Sequence, residues 1–282
     1  MTSRTIVRQH PAYRDDIGDL VTRRPLPGPS LPHLDPFLFL NHHGPQVYPP
    51  RNSGLPFGPH PHRGFETVTF ILSGELAHLD SGGHESVIHP GGVQWMTAGS
   101  GLVHAELSPD SFKQAGGALE ILQLWVNLPA RLKMTKPRYA GFEAADIPKV
   151  RRDGAEIALI SGQLDGVEGA FQPLTDIELM VVRLDAGASL DLPAPSGRSI
   201  FFYVVEGEPQ VDGESARTHH LLELGQGDNV AISAPSAPAT ILYGHATPFN
   251  EPIVSHGPFV MNSREEIVQA IQDYQAGRFG GL

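Results

Sequence analysis

The sequence has no cysteine among its 282 residues, and this absence limits the chemistry open to the protein. Disulfide bonds, thiolate metal ligands and a cysteine nucleophile are all excluded. Any metal ion must therefore be bound through nitrogen and oxygen atoms. The sequence signatures of a nucleophile elbow, a phosphate-binding loop and a dinucleotide-binding fingerprint are absent as well.

Positive charge is scarce in this chain. It carries 20 lysines and arginines against 31 aspartates and glutamates, which gives a formal net charge of -11 at pH 7. Affinity for nucleic acid depends on basic side chains that neutralise phosphates, so direct binding to nucleic acid is not expected. Basic residues do cluster between positions 131 and 138, and we interpret this cluster as a solvated face.

Long apolar runs are also missing. No stretch reaches the roughly 18 apolar residues that a membrane span requires. Residues 1–7 lack the apolar core of a secretory signal. We therefore expect a cytoplasmic protein without membrane association.

Glycine and proline, by contrast, are abundant, with 31 and 26 residues that make up about a fifth of the chain. Such a composition favours many short strands joined by turns. Runs rich in β-branched and aromatic residues, each bounded by turn-forming residues, lie at 66–72, 119–127, 177–184, 199–205 and 239–244. This pattern predicts an all-β sandwich or barrel.

A weak internal repeat indicates that such a barrel is present twice. Residues 70–75 resemble residues 203–208. At a similar offset, residues 90–93 resemble residues 225–230. A repeated strand-and-turn pattern of this kind predicts a duplicated barrel.

The predicted boundary between the two barrels lies in the segment 139–149, which we take as the linker. This predicts an N-terminal domain at 1–138 and a C-terminal domain at 139–282. Near the end of the chain, Ser263 and the glutamate three residues later form a capping box, which predicts a short C-terminal helix. Gly277 is placed to end this helix.

Two pairs of candidate metal ligands stand out in the first half. His60 and His62 are two residues apart, as are His104 and Glu106. Residues two apart in a strand project from the same face, so two strands could aim all four side chains at one point. Prolines on both sides of His60 favour an extended chain there. Three imidazoles and a carboxylate suit one divalent metal ion such as iron, nickel, copper, manganese or zinc.

The second half of the chain lacks these ligands. When the two repeats are aligned at Gly74 and Gly207, the two histidines of the first pair fall opposite Pro193 and Pro195. We therefore predict one metal ion in the N-terminal half and none in the C-terminal half.

Longer motifs in the chain resemble a known family. Residues 60–67, 94–106, 250–254 and 256–262 are similar to the signature of the pirin family within the cupin superfamily. The resemblance extends over nearly the whole chain. It implies an all-β bicupin, in which two cupin (jelly-roll) β-barrels pack face to face and a short helix lies near the C-terminus.

The same resemblance implies a single iron-type metal ion, Fe(II), in the N-terminal barrel, held by the residues that match His60, His62, His104 and Glu106. In the wider cupin superfamily a glutamate shortly after the paired histidines is a ligand, and Glu66 stands near that position here. On the pirin pattern Glu106 takes this role. Glu66 then either orders the surroundings of the histidines or is an ordinary surface carboxylate.

The resemblance also implies a function. Some bacterial pirins are similar enough to quercetinases to cleave flavonols with dioxygen. Our leading hypothesis is therefore a metal-dependent dioxygenase acting on a small aromatic, flavonol-like substrate and dioxygen, with Glu106 as the catalytic residue that accepts the substrate's proton.

Fold alone does not decide activity, so other functions stay open. Eukaryotic pirins are known as nuclear co-regulators of transcription. The alternative is therefore a non-catalytic metalloprotein whose redox state alters its contact with a protein partner. A metal-dependent isomerase and a metal-free sugar-binding cupin are further interpretations.

The remaining histidines carry weaker expectations. His42 and His43 adjoin a glycine and a proline, which predicts a polar loop. His78, His84 and His89 fall between the two ligand pairs, where we expect exposed loop positions.

Several residues near the ligand pairs could shape a pocket. Trp95 and Trp125 lie in apolar, strand-like runs, so we predict that both pack in the core. Phe57 and Phe65 flank the first pair closely enough to form pocket walls. Gln123 could face the metal from a neighbouring strand.

Overall fold

The computed structural model describes residues 2–282, which form mainly short antiparallel strands. In chain order the strands are β1 (Ile6–Pro11), β2 (Tyr13–Arg14), β3 (Thr22–Leu26), β4 (Phe37–Tyr48), β5 (Phe57–His62), β6 (Phe65–Ser73), β7 (Leu76–Asp80), β8 (Glu85–Ile88), β9 (Val93–Thr97), β10 (Leu102–Leu107), β11 (Gly117–Asn127), β12 (Arg138–Phe142), β13 (Lys149–Arg152), β14 (Ala155–Ser161), β15 (Gln163–Leu164), β16 (Val167–Glu168), β17 (Glu178–Leu184), β18 (Ser189–Pro193), β19 (Ser199–Glu206), β20 (Gln210–Val211), β21 (Glu214–Ser215), β22 (His220–Leu224), β23 (Asn229–Ser233), β24 (Ala239–Ala246), β25 (Val254–His256) and β26 (Phe259–Met261). The helices are α1 (Asp110–Ala115) and α2 (Arg264–Gln275), with a 3-10 turn at Ala130–Leu132. The five segments expected to be strands all form strands, namely β6, β11, β17, β19 and β24.

Contacts between residues group the chain into two compact units. Unit 1 comprises the described residues through Tyr13, Arg24–Pro36 and Asp146–Pro248. Unit 2 comprises Arg14–Arg23, Phe37–Ala145 and Phe249–Leu282.

Unit 2 contains two main antiparallel sheets and the two-stranded β25–β26 sheet. One has the order β12-β9-β6-β11-β4 and continues at one edge through β3 and β2, and the other has the order β5-β10-β7-β8. Strand β6 is rich in β-branched and aromatic residues and is buried along residues 65–71. Ile71 and Ile121 of the first sheet share one apolar cluster with Leu76 and Ile88 of the second. The two sheets therefore enclose a common core.

Unit 1 likewise has two main antiparallel sheets, together with the two-stranded β15–β16 sheet. Its larger sheet has the order β1-β22-β19-β24-β17-β14-β13 and its smaller sheet the order β18-β23-β20-β21. Apolar side chains fill its interior, among them Leu192, Phe202 and Tyr243. Pro193, which the repeat places opposite a histidine of the first half, is the last residue of β18.

The first and last segments of the chain do not belong to the units that a contiguous division of the chain would give them. Strand β1 pairs antiparallel with β22, from Ile6 opposite Leu224 to Pro11 opposite His220. The first strand therefore belongs to unit 1, while the last segment, with α2, belongs to unit 2. A division into 1–138 and 139–282 assigns both ends to the opposite unit. The hydrogen-bonded ladder decides the membership of β1, because pairing depends on the partner strand and not on closeness in the chain.

The predicted linker is partly a strand. Strand β12 pairs with β9 of unit 2, and β13 pairs with β14 of unit 1. The division between the two units falls after Ala145, within the segment expected to be the linker.

The C-terminal helix begins and ends as its sequence indicates. The Ser263 side chain accepts a hydrogen bond from the backbone of Glu266, whose side chain in turn accepts from the backbone of Ser263. Gly277, two residues after α2, has a φ of 72°. Ile267 and Ala270 pack in one cluster with Val103 of β10. None of the helices between residues 2 and 282 is long and apolar enough to cross a membrane.

Candidate metal centre

The two strands that carry the candidate ligands are neighbours in one sheet. Strands β5 and β10 pair antiparallel, with His60 opposite His104 and His62 opposite Leu102. Side chains of directly opposite residues project from the same face of a sheet. Residues two apart share that face too, so the pairing brings both ligand pairs to one side of the β5–β10 ladder.

Three of the four predicted ligands come together. His60, His62 and His104 each offer a ring nitrogen within 4.8 Å of the others, and no other such group of metal-ligating side chains occurs among residues 2–282. The ring centroids of His60 and His104 are 4.4 Å apart, and those of His62 and His104 are 4.9 Å apart. His62 and His104 are buried, while His60 is partly exposed.

Hydrogen bonds fix the orientation of two of these rings. Nδ1 of His60 donates to the carbonyl oxygen of Gly58 at 2.8 Å, and Nδ1 of His62 donates to that of Pro258 at 3.2 Å. A histidine whose Nδ1 carries the hydrogen presents the lone pair of Nε2, and metal-binding histidines are commonly held in this way.

The third ring supplies the clearest indication of a metal. Both ring nitrogens of His104 are buried without a hydrogen-bond partner. A buried polar atom left unpaired destabilises a fold by about 1–3 kcal/mol. A metal ion bound by one of these nitrogens would remove that cost for the nitrogen it binds, so the donor set fits a divalent cation.

Burial keeps two of the three imidazoles in their metal-binding protonation state. Burial, together with a smaller contribution from the neighbouring His60, lowers the pKa of His62 to about 3. Burial likewise lowers the pKa of His104 well below its ordinary value, again with a contribution from His62. Neutral imidazole is the form that binds metals.

Glu106, the fourth predicted ligand, lies beside this cluster but is not part of the three-histidine group. The β5–β10 pairing shifts register between His104 and Glu106, so that Glu106 lies opposite Phe57. Its side chain is buried, and Oε1 accepts hydrogen bonds from Thr69 Oγ1 at 3.1 Å and Gln94 Nε2 at 2.5 Å. Oε2 accepts a hydrogen bond from Nε2 of Gln123. Gln123 therefore faces the candidate site, where it contacts the Glu106 carboxylate.

A second row of polar groups supports Gln94. The Tyr139 hydroxyl donates to Gln94 Oε1 at 3.2 Å and lies 2.5 Å from the Ser86 hydroxyl. Burial raises the pKa of Tyr139 to about 12, so its phenol stays neutral at pH 7. Sequence reasoning missed Thr69, Gln94 and Tyr139. The sequence did contain one signal for two of them, because Thr69 and Gln94 are polar residues inside otherwise apolar, strand-like runs.

The histidines next to Gly44 do not lie in a loop. His42 and His43 are buried in β4, so the loop prediction is wrong. His42 Nε2 lies 2.8 Å from Glu120, and His43 Nδ1 lies 2.9 Å from the Thr22 hydroxyl. Pairing of β4 with β11 places this strand inside the sheet.

Two further expectations need correction. His78 is fully buried, stacks on Tyr139 at 4.1 Å between ring centroids, and bonds Asp80 at 3.0 Å. The exposed position expected for it is wrong, although His84 and His89 are partly exposed as expected. Glu66 is also fully buried, so the interpretation as a surface carboxylate is wrong.

Aromatic side chains border the cluster. The Trp125 ring lies 5.3 Å from that of His62 and stacks on Phe39 at 4.5 Å. Trp125, Phe39 and Phe57 are partly exposed, whereas Phe65 and Trp95 are fully buried. Core packing was therefore correctly expected for Trp95, but Trp125 contacts the cluster. The partly exposed side of the histidine cluster has an aromatic border.

The burial of Glu66 has an electrostatic consequence. Burial raises the pKa of this carboxyl to about 7, although hydrogen bonds from Thr97 and Trp95 act in the opposite direction. The Thr97 hydroxyl donates to Oε1 at 2.6 Å. Glu66 is thus a buried, titratable group near neutral pH.

Comparison with known protein families gives two matches. Residues 19–126 match the family model described as Pirin, and residues 179–280 match the one described as Pirin C-terminal cupin domain.

Individual relatives match over nearly the whole chain. A pirin-like protein of Solanum lycopersicum is 39% identical over 282 residues, covering 98% of this chain and 93% of that protein. Pirin of Homo sapiens is 39% identical over 265 residues, covering 92% of this chain and 87% of that protein. A crystal structure of quercetin 2,3-dioxygenase from Acinetobacter baumannii superposes with a TM-score of 0.92 at 33% identity, covering 99% of each chain.

Proposed function

Because this chain belongs to the pirin family and has its two cupin domains, we propose that it is a metal-dependent dioxygenase that opens the ring of a flavonol-like substrate. In this reaction both atoms of dioxygen enter the cleaved product and carbon monoxide leaves. The observation that carries the proposal is the buried histidine cluster, in which both ring nitrogens of His104 lack a partner. The likeness to a quercetin 2,3-dioxygenase at 33% identity supports the substrate class.

The proposed metal ligands are the Nε2 atoms of His60 and His62, one ring nitrogen of His104, and the carboxylate of Glu106. Fe(II) is the ion we propose, and nickel, copper, manganese and zinc suit the same donor set. When bound, the metal supplies Lewis-acid and redox chemistry to the substrate and dioxygen.

Glu106 is the residue we assign to proton transfer. Its Oε1 accepts two hydrogen bonds and its Oε2 accepts one, so Oε2 keeps more capacity to take the proton of the substrate's enol hydroxyl. Donors from Thr69, Gln94 and Gln123 hold the carboxylate in one orientation. A positioned carboxylate of this kind typically contributes about 10²–10⁴-fold to a rate.

The aromatic border would hold a flat substrate. Trp125 lies beside His62, Phe39 stacks on Trp125, and both aromatic residues are partly exposed. Aromatic rings favour offset or edge-on contacts with other rings. Such contacts would orient a flavonol without the help of a charged side chain.

The experiment that tests this function is oxygen uptake with quercetin after anaerobic loading with ferrous iron. We expect iron-dependent uptake accompanied by carbon monoxide, and loss of both in the His62→Ala variant. The matched control is His89→Ala, because the side chain of His89 is exposed and bonds the exposed Glu143. Uptake that survives in His62→Ala, or that is lost equally in both variants, would contradict the proposal.

The stoichiometry of metal binding provides a second test. We expect one ion per chain by elemental analysis of the loaded protein, and none in His62→Ala after gel filtration. Two ions per chain would contradict a single site in unit 2.

Iron binding without oxygen uptake would favour the alternative function, a redox-responsive protein that acts through a partner. The net charge of -11 suits a basic protein partner in that case.

A further inference from the structure

Unit 2 has a cleft that none of His60, His62 and His104 lines. It has a volume of about 630 Å³. Its walls come from the β7–β8 turn, the first residues of β10 and β12, and the segment after α2. Pockets for small molecules usually measure about 300–1,000 Å³, so this cleft has the size of a ligand site.

The lining of the cleft is mainly positive. Lys136, Arg138 and Arg278 contribute three cationic side chains, and Asp80 is the one carboxylate among the lining residues. Asp80 is only 4% exposed. Its oxygens accept hydrogen bonds from the side chains of His78 and His84. Its charge is therefore engaged within the wall, and the open surface of the cleft presents the cations.

The basic segment noted in the sequence accounts for two of these cations. Lys133 of the same segment is buried and donates to the carbonyl oxygens of Gly64 and Val260, so the expected solvated face is wrong for that residue. Lys136 and Arg138 are exposed and line the cleft instead. A basic concavity on a chain of net charge -11 concentrates small anions locally. A long polyanion would be repelled by the rest of the surface.

The walls of the cleft are fixed by contacts that need no ligand. Tyr139 stacks on His78 with an interplanar angle of 11°. The Ser81 hydroxyl donates to the Phe279 carbonyl oxygen at 2.6 Å. The Phe279 ring packs so closely on Gly101 that a side chain there would collide with it. A preformed site loses little conformational entropy when a ligand binds.

We propose that this cleft binds a small dianion, either a phosphate monoester or a dicarboxylate, through Lys136 and Arg138. Both candidates share a compact double negative charge, which guanidinium and ammonium groups recognise together. Arg278 also lines the cleft, and its Nη1 bonds Asp273 at 2.6 Å. The proposal does not rest on the proposed catalytic function.

The test is isothermal titration calorimetry of the metal-loaded protein with inorganic phosphate and, separately, with succinate at constant ionic strength. The test variant is K136Q/R138Q. The matched control is K149Q/R151Q, which removes the same two residue types at the same spacing from β13 of unit 1. Melting temperatures establish that both variants are folded.

We expect saturable one-site binding of at least one anion, weakened at least about tenfold by K136Q/R138Q and changed by less than about twofold in the control. Tighter binding of phosphate identifies a phosphate monoester as the ligand class, and tighter binding of succinate identifies a dicarboxylate. The proposal is overturned if neither anion saturates, or if both variants weaken binding equally. Unchanged binding in K136Q/R138Q would also overturn it, because the anion would then bind elsewhere, such as at the metal.

Discussion

The carboxylate of Glu106 is held between two glutamine side chains, and this arrangement limits what the residue can do. Gln94 and Gln123 each donate an amide hydrogen to it, one to each oxygen. Amides of this kind neither accept nor release protons near neutral pH, so they orient the carboxylate without competing for the substrate's proton. In the proposed reaction this leaves Glu106 itself as the proton acceptor.

Replacing Glu106 with glutamine should reduce turnover more than substrate binding. The amide cannot accept the proton, and its NH₂ group would face the donor of Gln94 or Gln123. We expect kcat with quercetin to fall by about 10²–10⁴-fold with a much smaller change in KM. Steady-state kinetics at matched iron content measure both. Glu85→Gln, an exposed change in β8, is the control, and equal activity of Glu106→Gln would remove the proposed role.

Glu66 should make the stability of the fold depend on pH. Burial raises its folded pKa to about 7 from 4.5, so the folded state holds the proton more tightly than the unfolded state. The favourable contribution of the protonated Glu66 carboxyl to the unfolding free energy is complete below pH 4.5 and is lost as the pH rises through about 7. Relative to Glu66→Gln, the wild-type protein should lose about 3 kcal/mol of unfolding free energy across that range.

Urea unfolding at several pH values from 4.5 to 8 measures this difference, because other titrating groups cancel between the two proteins. Glu85→Gln again serves as the exposed control. Parallel pH profiles for wild type and Glu66→Gln would show that the carboxyl titrates normally.

At the scale of elements, the C-terminal segment supports the turn that follows the first ligand pair. Arg63 comes directly after His62 and bonds Asp273 of α2 at 2.8 Å. Its guanidinium also lies 4.6 Å from the centre of the Phe279 ring. Pro258 accepts the hydrogen bond from His62. The orientation of one ligand thus depends on a segment about 200 residues away in the chain.

Replacing Asp273 with asparagine should weaken this support. Removing one partner of a buried ion pair leaves Arg63 with an uncompensated charge, and we expect a loss of about 3 kcal/mol in unfolding free energy. Iron affinity should also fall, because the β5–β6 turn would be held less firmly. Chemical denaturation and competition with a chelator measure the two effects.

The control for this change is Glu265→Gln, which alters an exposed carboxylate on the same helix. If Asp273→Asn and Glu265→Gln have the same stability and iron affinity as wild type, then α2 does not support the site.

At the scale of the whole molecule, the two units have similar sheets but different interiors. Unit 1 is filled by an apolar cluster that includes Phe202, Val204 and Tyr243. Unit 2 contains the three-histidine group. Metal binding should therefore stabilise only one of the two units.

Hydrogen exchange detected by mass spectrometry can test this expectation. With free metal at about 100 times the dissociation constant, binding adds about 2.7 kcal/mol to the stability of the state that binds it. Peptides covering β5 and β10 should exchange more slowly after iron loading, whereas peptides covering β17 and β24 should not change. Equal protection of all four strands, or protection confined to unit 1, would contradict a single site in unit 2.

Local patterns in the sequence predicted the elements and the spacing of the ligands. Runs rich in β-branched and aromatic residues indicated strands such as β6 and β19, which the structure contains with nearly the expected ends. The cap at Ser263 indicated the start of α2. The two-residue spacing within β5 and β10 put ligands on one face. All of these depend on neighbours in the chain, so the sequence by itself determined them.

Only the tertiary structure decided what surrounds each side chain. The polarity of His42 and His78 gave no sign that strand pairing would bury them. The donors around Glu106 lie on β6, β9 and β11, and the carbonyl that orients His62 comes from the C-terminal segment. The cleft likewise combines segments from far apart in the chain. Such contacts depend on which strands pair and in what register, and local periodicity carries no record of that choice.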